Sequence, residues 1–431
     1  MVEPESSRSD AYASVDHLFR HRSGQMVATL TRVFGFEHLD WVEDAVQDAL
    51  VRALRLWPFE GVPRNPTAWL IQVAKNRVLD RLRRRKLWSE RASLVERSLE
   101  GVVAAAADSD AAFAREVQDD QLEMIFACCD PAIPPGGRVA LTLKTVGGFS
   151  TGEIARAFLS QPQTVAQRLV RAKRQLREGG ATLQPLTPDS MVARIETVVE
   201  VLYLMFNEGY SALEGDDLVR SDLCREAIRL AELLAGSPST DSPEVRALSA
   251  LFYFHAARLR TRADHAGDLL LLRQQDRSQW DPHLLRRGLE HFRRSARGGA
   301  VTSYHFEAEI ASCHALADSY ASTDWKRILE CYDQLLARDG SPVVAVNRAI
   351  ALAEVEGAAA GLDALEQLQV LRVLKHYYPL YAARGELLRR LGRLDEAKDA
   401  YRAAQGLTSS APVRRFLQAR ILESGEPPLT P

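Results

Sequence analysis

A chain of 431 residues is too long for one ordinary hydrophobic core, so two or three domains are expected. With 46% apolar and 26% charged residues it has the balance of a soluble globular protein. The formal net charge of −2 excludes a uniformly basic protein, yet basic residues crowd two short segments, and local clustering matters more for a polyanionic partner than the total.

The opening stretch MVEPESSRSDAY has no signal-peptide core, and no apolar run approaches the length needed to cross a bilayer. Both features point to the cytoplasm. Apolar residues recur at i, i+3 and i+4 almost throughout, and no stretch alternates convincingly at period two, so an all-α fold is predicted. Three weak joints interrupt the pattern: the Ala/Asp-rich 101–110, the Gly/Pro-rich 179–190, and 236–243, read as a loop inside a domain. The division that follows is 10–95, a linker at 96–111, 112–180 and 188–425.

The first clear element is DWVEDAVQDALVRALRLW, 40–57. Val42, Ala45, Val46, Ala49, Leu50, Ala53 and Leu54 make an apolar stripe. The opposite side carries Glu43, Asp44, Gln47 and Asp48, a face that repels DNA and suits a basic protein surface; a merely solvated face is the alternative.

NPTAWLIQVAKNRVLDRLRRRK, 65–86, follows. Asn65 can cap, Pro66 suits the first turn, and the helix is expected to run to about Trp88. Trp69, Leu70, Val73 and Ala74 give the packed side, with Trp69 read as core rather than as a base-stacking platform. Arg77, Arg81 and Arg84 fall on one face, and Lys75, Arg83, Arg85 and Lys86 widen the positive strip. Such a strip binds nucleic acid through counterion release. Asn76 sits beside it with an amide able to donate to and accept from a base edge.

Cys128 and Cys129 are adjacent, Cys224, Cys313 and Cys331 are scattered, and no Cys/His cluster has zinc spacing. Buried free thiols are expected, and no metal or cofactor.

In FSTGEIARAFLSQPQTVAQRLVRAKRQLRE, 149–178, Ser150 and Glu153 form a capping-box pair that starts a short helix ending near Leu159. Pro162 opens a second helix that buries Val165, Leu169 and Ala172. Its other faces show Gln167, Arg168, Arg171, Lys173, Arg174 and Arg177. The pair fits a helix-turn-helix. Arg168 and Arg171 can present guanidinium forks to guanine edges, while Lys173, Arg174 and Arg177 suit phosphates; a solvated basic face is the alternative.

These segments together resemble the bacterial extracytoplasmic-function (ECF) sigma factors, promoter-recognition subunits of RNA polymerase. EDAVQDALVRAL resembles the region 2 helix of that family, which implies that Glu43, Asp44, Gln47 and Asp48 dock on the β′ clamp helices of core polymerase. AWLIQVAKNRVLDRLRRRK resembles the helix that melts and reads the −10 element. This implies a flipped base held at Asn76, with Lys75, Arg77, Arg81 and Arg84 on the same DNA. VALTLKTVGGFSTGEIARAFLSQPQTVAQRLVRAKRQL resembles region 4, which implies −35 contacts at Gln167, Arg168 and Arg171, phosphates at Lys173 and Arg174, and docking on the β flap. The linker is then expected near the RNA exit path.

FACCDPAIPPGGRVALTL, VLYLMFNEGYSA and QQDRSQWD resemble stretches of an ECF subgroup with a long C-terminal extension, although Asp130 stands where that subgroup suggests histidine. The stretch 377–412 fits the tetratricopeptide (TPR) pattern, with Gly385 at the small position and Ala397, Tyr401 and Ala404 on the partner helix. A fainter copy, with Leu316, Ile328, Tyr332 and Leu335, lies near 309–342. Such pairs stack into a solenoid whose concave side binds peptides or helices, and a plain helical bundle is the alternative. Asn207, Glu208 and Tyr210 invite a catalytic reading, but no histidine, metal cluster or phosphate loop accompanies them, so no enzyme is expected. Asp276, Arg277 and Trp280 are read as a buried ion pair that anchors a turn, or as an interdomain contact. The expectation is an ECF-type sigma factor whose extension regulates it or binds a protein partner. The alternative is a helix-turn-helix regulator that needs no polymerase.

Overall fold

The computed structural model describes residues 23–84, 120–157, 160–178, 194–210, 219, 221–368 and 371–424. The linker at 96–111, the stretch 179–190, Arg85, Lys86 and the helix ends expected at Trp88 and Leu159 lie outside the described residues. Among the described residues all regular structure is helical, with an isolated bridge between Ala263 and Leu269. None of these helices is long and apolar enough to cross a membrane. The chain divides into two compact units, Met1–Met205 and Phe206–Pro431.

The first unit opens with α1 (23–34), followed by α2 (Leu39–Glu60) and α3 (Pro66–Arg84). The expected stripe of α2 is buried from Val42 to Ala53, but Leu54 is 38% exposed. The apolar face turns from Ala53 to Trp57, which is 2% exposed and meets Trp69 of α3 edge-on at 5.4 Å between ring centres. Asn65 caps α3, its Oδ1 accepting from the Ala68 amide at 2.9 Å. Next come α4 (120–128), α5 (Pro135–Thr145), α6 (Thr151–Ala157) and α7 (Pro162–Glu178). The capping box closes both ways: the Ser150 amide donates to Glu153 Oε2 at 2.7 Å, and the Glu153 amide donates to Ser150 Oγ at 3.2 Å. Val165, Leu169, Ala172 and Leu176 form the buried stripe of α7.

The turn between α4 and α5 is tied by two arginines. Arg138 donates to the carbonyls of Ile133 at 2.6 Å and Pro131 at 2.9 Å. Arg194 reaches the Phe126 carbonyl at 2.9 Å and Asp130 Oδ2 at 2.8 Å, so Asp130 serves as an anchor for this turn.

The division falls inside α8 (Ile195–Tyr210). The second unit continues with α9 (Ser221–Gly236), α10 (Pro243–Ala256), α11 (Pro282–Ser295), α12 (Ser303–Leu316) and α13 (Trp325–Asp339). It ends with α14 (Pro342–Val355), α15 (Ala358–Leu368), α16 (Tyr378–Arg390), α17 (Leu394–Gly406) and α18 (Ala411–Glu423). Phe206 stacks on Phe252 at 4.3 Å at one end of its core. Between α9, α10 and α11 lies a partly buried polar network: Glu232 accepts from Tyr253 Oη at 2.7 Å, His291 Nε2 at 2.8 Å and the exposed Arg287 Nη2 at 2.7 Å. Burial pushes the Glu232 carboxyl up, but hydrogen bonds from His291 and Tyr253 outweigh it and hold the group down at about 2.

Gly385 sits where α16 crosses α17, and a Cβ there would stand 2.8 Å from the Tyr401 ring. Ala397, Tyr401 and Ala404 are buried against it. Gly385→Val is therefore expected to destabilise the second unit by about 1–3 kcal/mol through overpacking, read from urea unfolding of the full chain. A variant as stable as the parent would show that the two helices part freely. In the stretch 309–342, expected as a fainter copy of that pattern, Ile328 and Leu335 are buried, whereas Leu316 is 48% exposed, because α12 ends there.

Candidate functional site

Position in the helical period decides which basic residues of α3 face outward. Asn76, Arg77, Arg81 and Arg84 are exposed on one side, and Leu70, Ile71, Ala74, Val78 and Leu82 are buried on the other. Asn76 Oδ1 accepts from Gln72 Nε2 at 2.9 Å, which fixes its amide along the helix.

Two lysines depart from the strips expected of them. Lys75 is only 9% exposed, because it falls four residues after Ile71 and four before Leu79, on the buried face. Lys173 turns toward two carboxylates of the first unit, Asp40 and Glu43.

The acidic side of α2 is not a separate surface. Arg77 Nε reaches Asp48 Oδ2 at 3.0 Å, and Arg81 Nη1 reaches Asp44 Oδ2 at 3.2 Å. These four side chains, with Trp41 and Gln47, line a groove of about 370 Å³ between α2 and α3. Each pair is well exposed and contributes at most about 1 kcal/mol, so either partner is cheaply released to an external ligand. Trp41 was not singled out from the sequence. The Arg81 guanidinium lies 5.0 Å from its ring centre, and His38 stacks on it at 4.7 Å. Its one sequence signal is an aromatic residue beside the acidic run.

On α7, Gln167, Arg171 and Arg174 are exposed and Arg168 is half-buried beside Gly136. Arg174 is near Glu178 of its own helix at 3.5 Å. Lys173 points the other way. Its Nζ donates to Asp40 Oδ1 at 2.7 Å and Glu43 Oε2 at 2.6 Å. Arg177 Nη1 adds a bond to Asp40 Oδ2 at 3.1 Å, and Thr145 Oγ1 donates to Glu43 Oε1 at 3.0 Å. Burial alone would push the Lys173 ammonium down, and the Glu43 charge together with Asp40 holds it above its ordinary value instead.

The five cysteines are free; Cys128, Cys129, Cys224 and Cys331 are buried and Cys313 is half-buried. Burial pushes the Cys129 thiol up to about 12, so it is a poor nucleophile and a poor ligand. No metal-holding group of His, Cys, Asp or Glu occurs among the described residues.

In the second unit Asn207 is exposed and Glu208 is buried. Tyr210 Oη accepts from Arg258 Nε at 2.7 Å, and the Arg262 guanidinium lies 3.7 Å over the tyrosine ring. The ion pair expected between Asp276 and Arg277 does not form. Asp276 instead caps a short turn through Ser278 and Gln279, and Arg277 Nη1 reaches the carbonyls of His314 at 2.5 Å and Ala317 at 2.8 Å at the end of α12. Trp280 is buried and donates to Thr261 Oγ1 at 2.9 Å, so the stretch does anchor a turn. An aromatic cavity of about 400 Å³ opens among Tyr320, Trp325, Tyr332, Tyr378, Tyr401 and Phe416.

Residues 18–87 match the Sigma-70 region 2 family, and residues 194–296 match a family of unknown function, DUF6596. A protein of Rhizobium meliloti (strain 1021), "Uncharacterized protein R00370", is 36% identical over 398 residues, covering 92% of each chain. No solved structure matches the chain.

Proposed function

The chain belongs to one family with this Rhizobium meliloti protein, and with a sigma-70 region 2 match at its N-terminal end as premise, we propose that it is an ECF-type sigma factor. The region 2 match supports a sigma-factor-like, non-enzymatic role in transcription initiation through core RNA polymerase. In the finer reading Asp44, Gln47 and Asp48, with Glu43, dock on the β′ clamp helices. Arg77, Arg81 and Arg84 hold the −10 strand, and Asn76 takes an extruded base at a cost of a few kcal/mol that phosphate contacts offset. The pair α6 and α7 is a helix-turn-helix that reads the −35 element through Gln167, Arg168 and Arg171, and region 4 also meets the β flap. The TPR-like second unit regulates the sigma factor or binds a protein partner at its aromatic cavity, and the protein works in the cytoplasm.

The observation that carries this reading is the exposed arginine row of α3 standing against an acidic row on α2 within the region 2 match. The test is reconstitution with core polymerase on a library of promoter fragments. Discrete start sites are expected, and Arg171→Ala should cost about 1–3 kcal/mol of discrimination at the upstream element. A chain that joins polymerase yet starts no transcript from any template would overturn it.

A further inference from the structure

The arginines of α16 and α17 each have a carboxylate close by: Arg384, Arg389 and Arg390 meet Glu366, Glu386 and Glu354, and Arg402 meets Asp399. The outer side of α11 departs from that pattern. RRGLEHFRRSAR, 286–297, carries five arginines and one glutamate. Arg287 is taken by Glu232 and Glu290, and Arg294 lies 3.4 Å from Asp241. Arg286, Arg293 and Arg297 are exposed and have no ion pair among the described residues. Arg286 Nη2 meets His283 Nδ1 at 2.7 Å, and its Nε donates to the Pro282 carbonyl at 3.4 Å, neither of which offsets its charge.

Spacing brings these three charges together. Arg286 and Arg293 are seven residues apart, so they stand two turns apart on one side of α11, about 10.5 Å along its axis. Arg297 follows just past the helix end. With Leu289, Glu290 and Arg294 they line one concavity, in which four guanidiniums face a single carboxylate that is already shared with Arg287. The negative end of a helix attracts cations by itself, which accounts for arginines in the last turn. It does not account for Arg286, which lies toward the positive end, where the same effect disfavours a cation.

We propose that Arg286, Arg293 and Arg297 form a further nucleic-acid surface, in the second unit, which grips the phosphate backbone of duplex DNA without reading its sequence. The charges are complementary: a duplex carries about six backbone charges over the length that separates Arg286 from Arg293. A guanidinium fork can take a phosphate in two bonds, and all the cations here are arginines. No aromatic side chain lines the concavity, so an unpaired base would find nothing to stack on, which favours duplex over single strands. Its apolar lining is limited to Leu289, whereas the core of a protein-docking patch is depleted of charge. This surface goes beyond the assignment of DNA to α3 and α7, and it does not require the chain to join polymerase.

The test uses the full chain, without polymerase, and a duplex of random sequence. One variant combines Arg286→Ala, Arg293→Ala and Arg297→Ala, and a second places lysine at the same positions to keep the charge. All three side chains are exposed, so both variants should unfold in urea as the parent does. In titrations at several salt concentrations, the slope of log affinity against log salt should fall by about two to three in the alanine variant, with affinity near 0.1 M salt lower by about tenfold or more. The lysine variant should keep the parent's slope. The direct readout is arginine modification by a phenylglyoxal reagent, followed by peptide mass spectrometry, with exposed Arg414 as the reference. Duplex should protect Arg286, Arg293 and Arg297 and leave Arg414 reactive. Three arginines that stay reactive at the highest duplex concentration overturn the surface, and so does an alanine variant with the parent's salt slope. Equal protection by polyglutamate would give the face to an acidic protein, and protection by single strands alone would give it to unpaired nucleic acid; either result overturns duplex binding. Neither readout involves transcription, so a failure of the sigma-factor reading leaves this result standing, and the reverse holds as well.

Discussion

Acidifying the full chain from about pH 7 to about pH 4.5 is expected to weaken the second unit above the range in which its buried, paired carboxylates Glu232 and Glu386 lose their contributions. The main cause is a pair of deeply buried imidazoles held neutral, and burial lowers His305 in the same sense. Burial, then the charges of Arg258 and Arg277, push His314 from 6.5 down to about 3. Burial, then Arg258 and Arg262, likewise push His255 well below 6.5. Among the described residues the buried His314 Nδ1 has no hydrogen-bond partner, so a proton there would find no acceptor among them. Below the unfolded value of 6.5 the unfolded chain takes up a proton at each site and the folded chain does not, so stability falls with pH across that window. For His314 alone this amounts to about 2–3 kcal/mol by pH 4.5, and His255 adds in the same sense. Glu232 and Glu386, both held at about 2, lose their contributions only as pH falls from their ordinary 4.5 toward that value, so the upper window isolates the histidines. Hydrogen exchange at the amides of α10 and α12, followed against pH, reads the effect unit by unit. His314→Gln should remove about one proton from the slope. A flat profile between about pH 6.5 and 4.5, or a slope indifferent to that substitution, would show that the site is wetter than its burial implies.

Local chemistry was the part of this molecule open to inspection in the sequence. The box at Ser150 and Glu153, the cap at Asn65 and the stripe Val165–Leu169–Ala172 are set by neighbours within one or two turns, and the structure has each of them. Gly385 and Tyr401 lie further apart, but the spacing of a small residue on one helix and an aromatic on the next let their contact be anticipated too.

What stayed hidden depends on which remote group a long side chain finds. Lys173 and Arg174 are adjacent cations, and nothing in their types says that one meets carboxylates some 130 residues earlier while the other stays in solvent. Lys75 shows the same limit: charge suggested an outward residue, but the helical period had already placed it beneath Ile71 and Leu79. Arg277 prefers the carbonyls at the end of α12 to the carboxylate beside it, because those carbonyls lack partners within their own helix. The cluster of Glu232, Tyr253, Arg287 and His291 assembles from three helices and left no local pattern to notice.

Asp44→Arg should move two affinities in opposite directions. Asp44 is 68% exposed and its bond to Arg81 is 3.2 Å long, so the fold loses at most about 1 kcal/mol and the change acts on partners. On the proposed docking face it would replace an attraction by a repulsion. Core-polymerase affinity is expected to fall by about 30-fold or more, near 2 kcal/mol, because like charges opposed across an interface cost several kcal/mol. On the α3 side the same substitution frees Arg81 and adds a cation to the groove beside Arg77, Arg81 and Arg84. Affinity for DNA should therefore rise, and its dependence on salt should steepen by about one released counterion or more. A general loss of folding would lower both affinities, and a helix-turn-helix regulator independent of polymerase would show only the DNA effect. Only a protein that uses α2 for polymerase and α3 for DNA gives opposite signs, so paired titrations at two salt concentrations discriminate among all three. A polymerase affinity unmoved by Asp44→Arg would remove α2 from the docking surface.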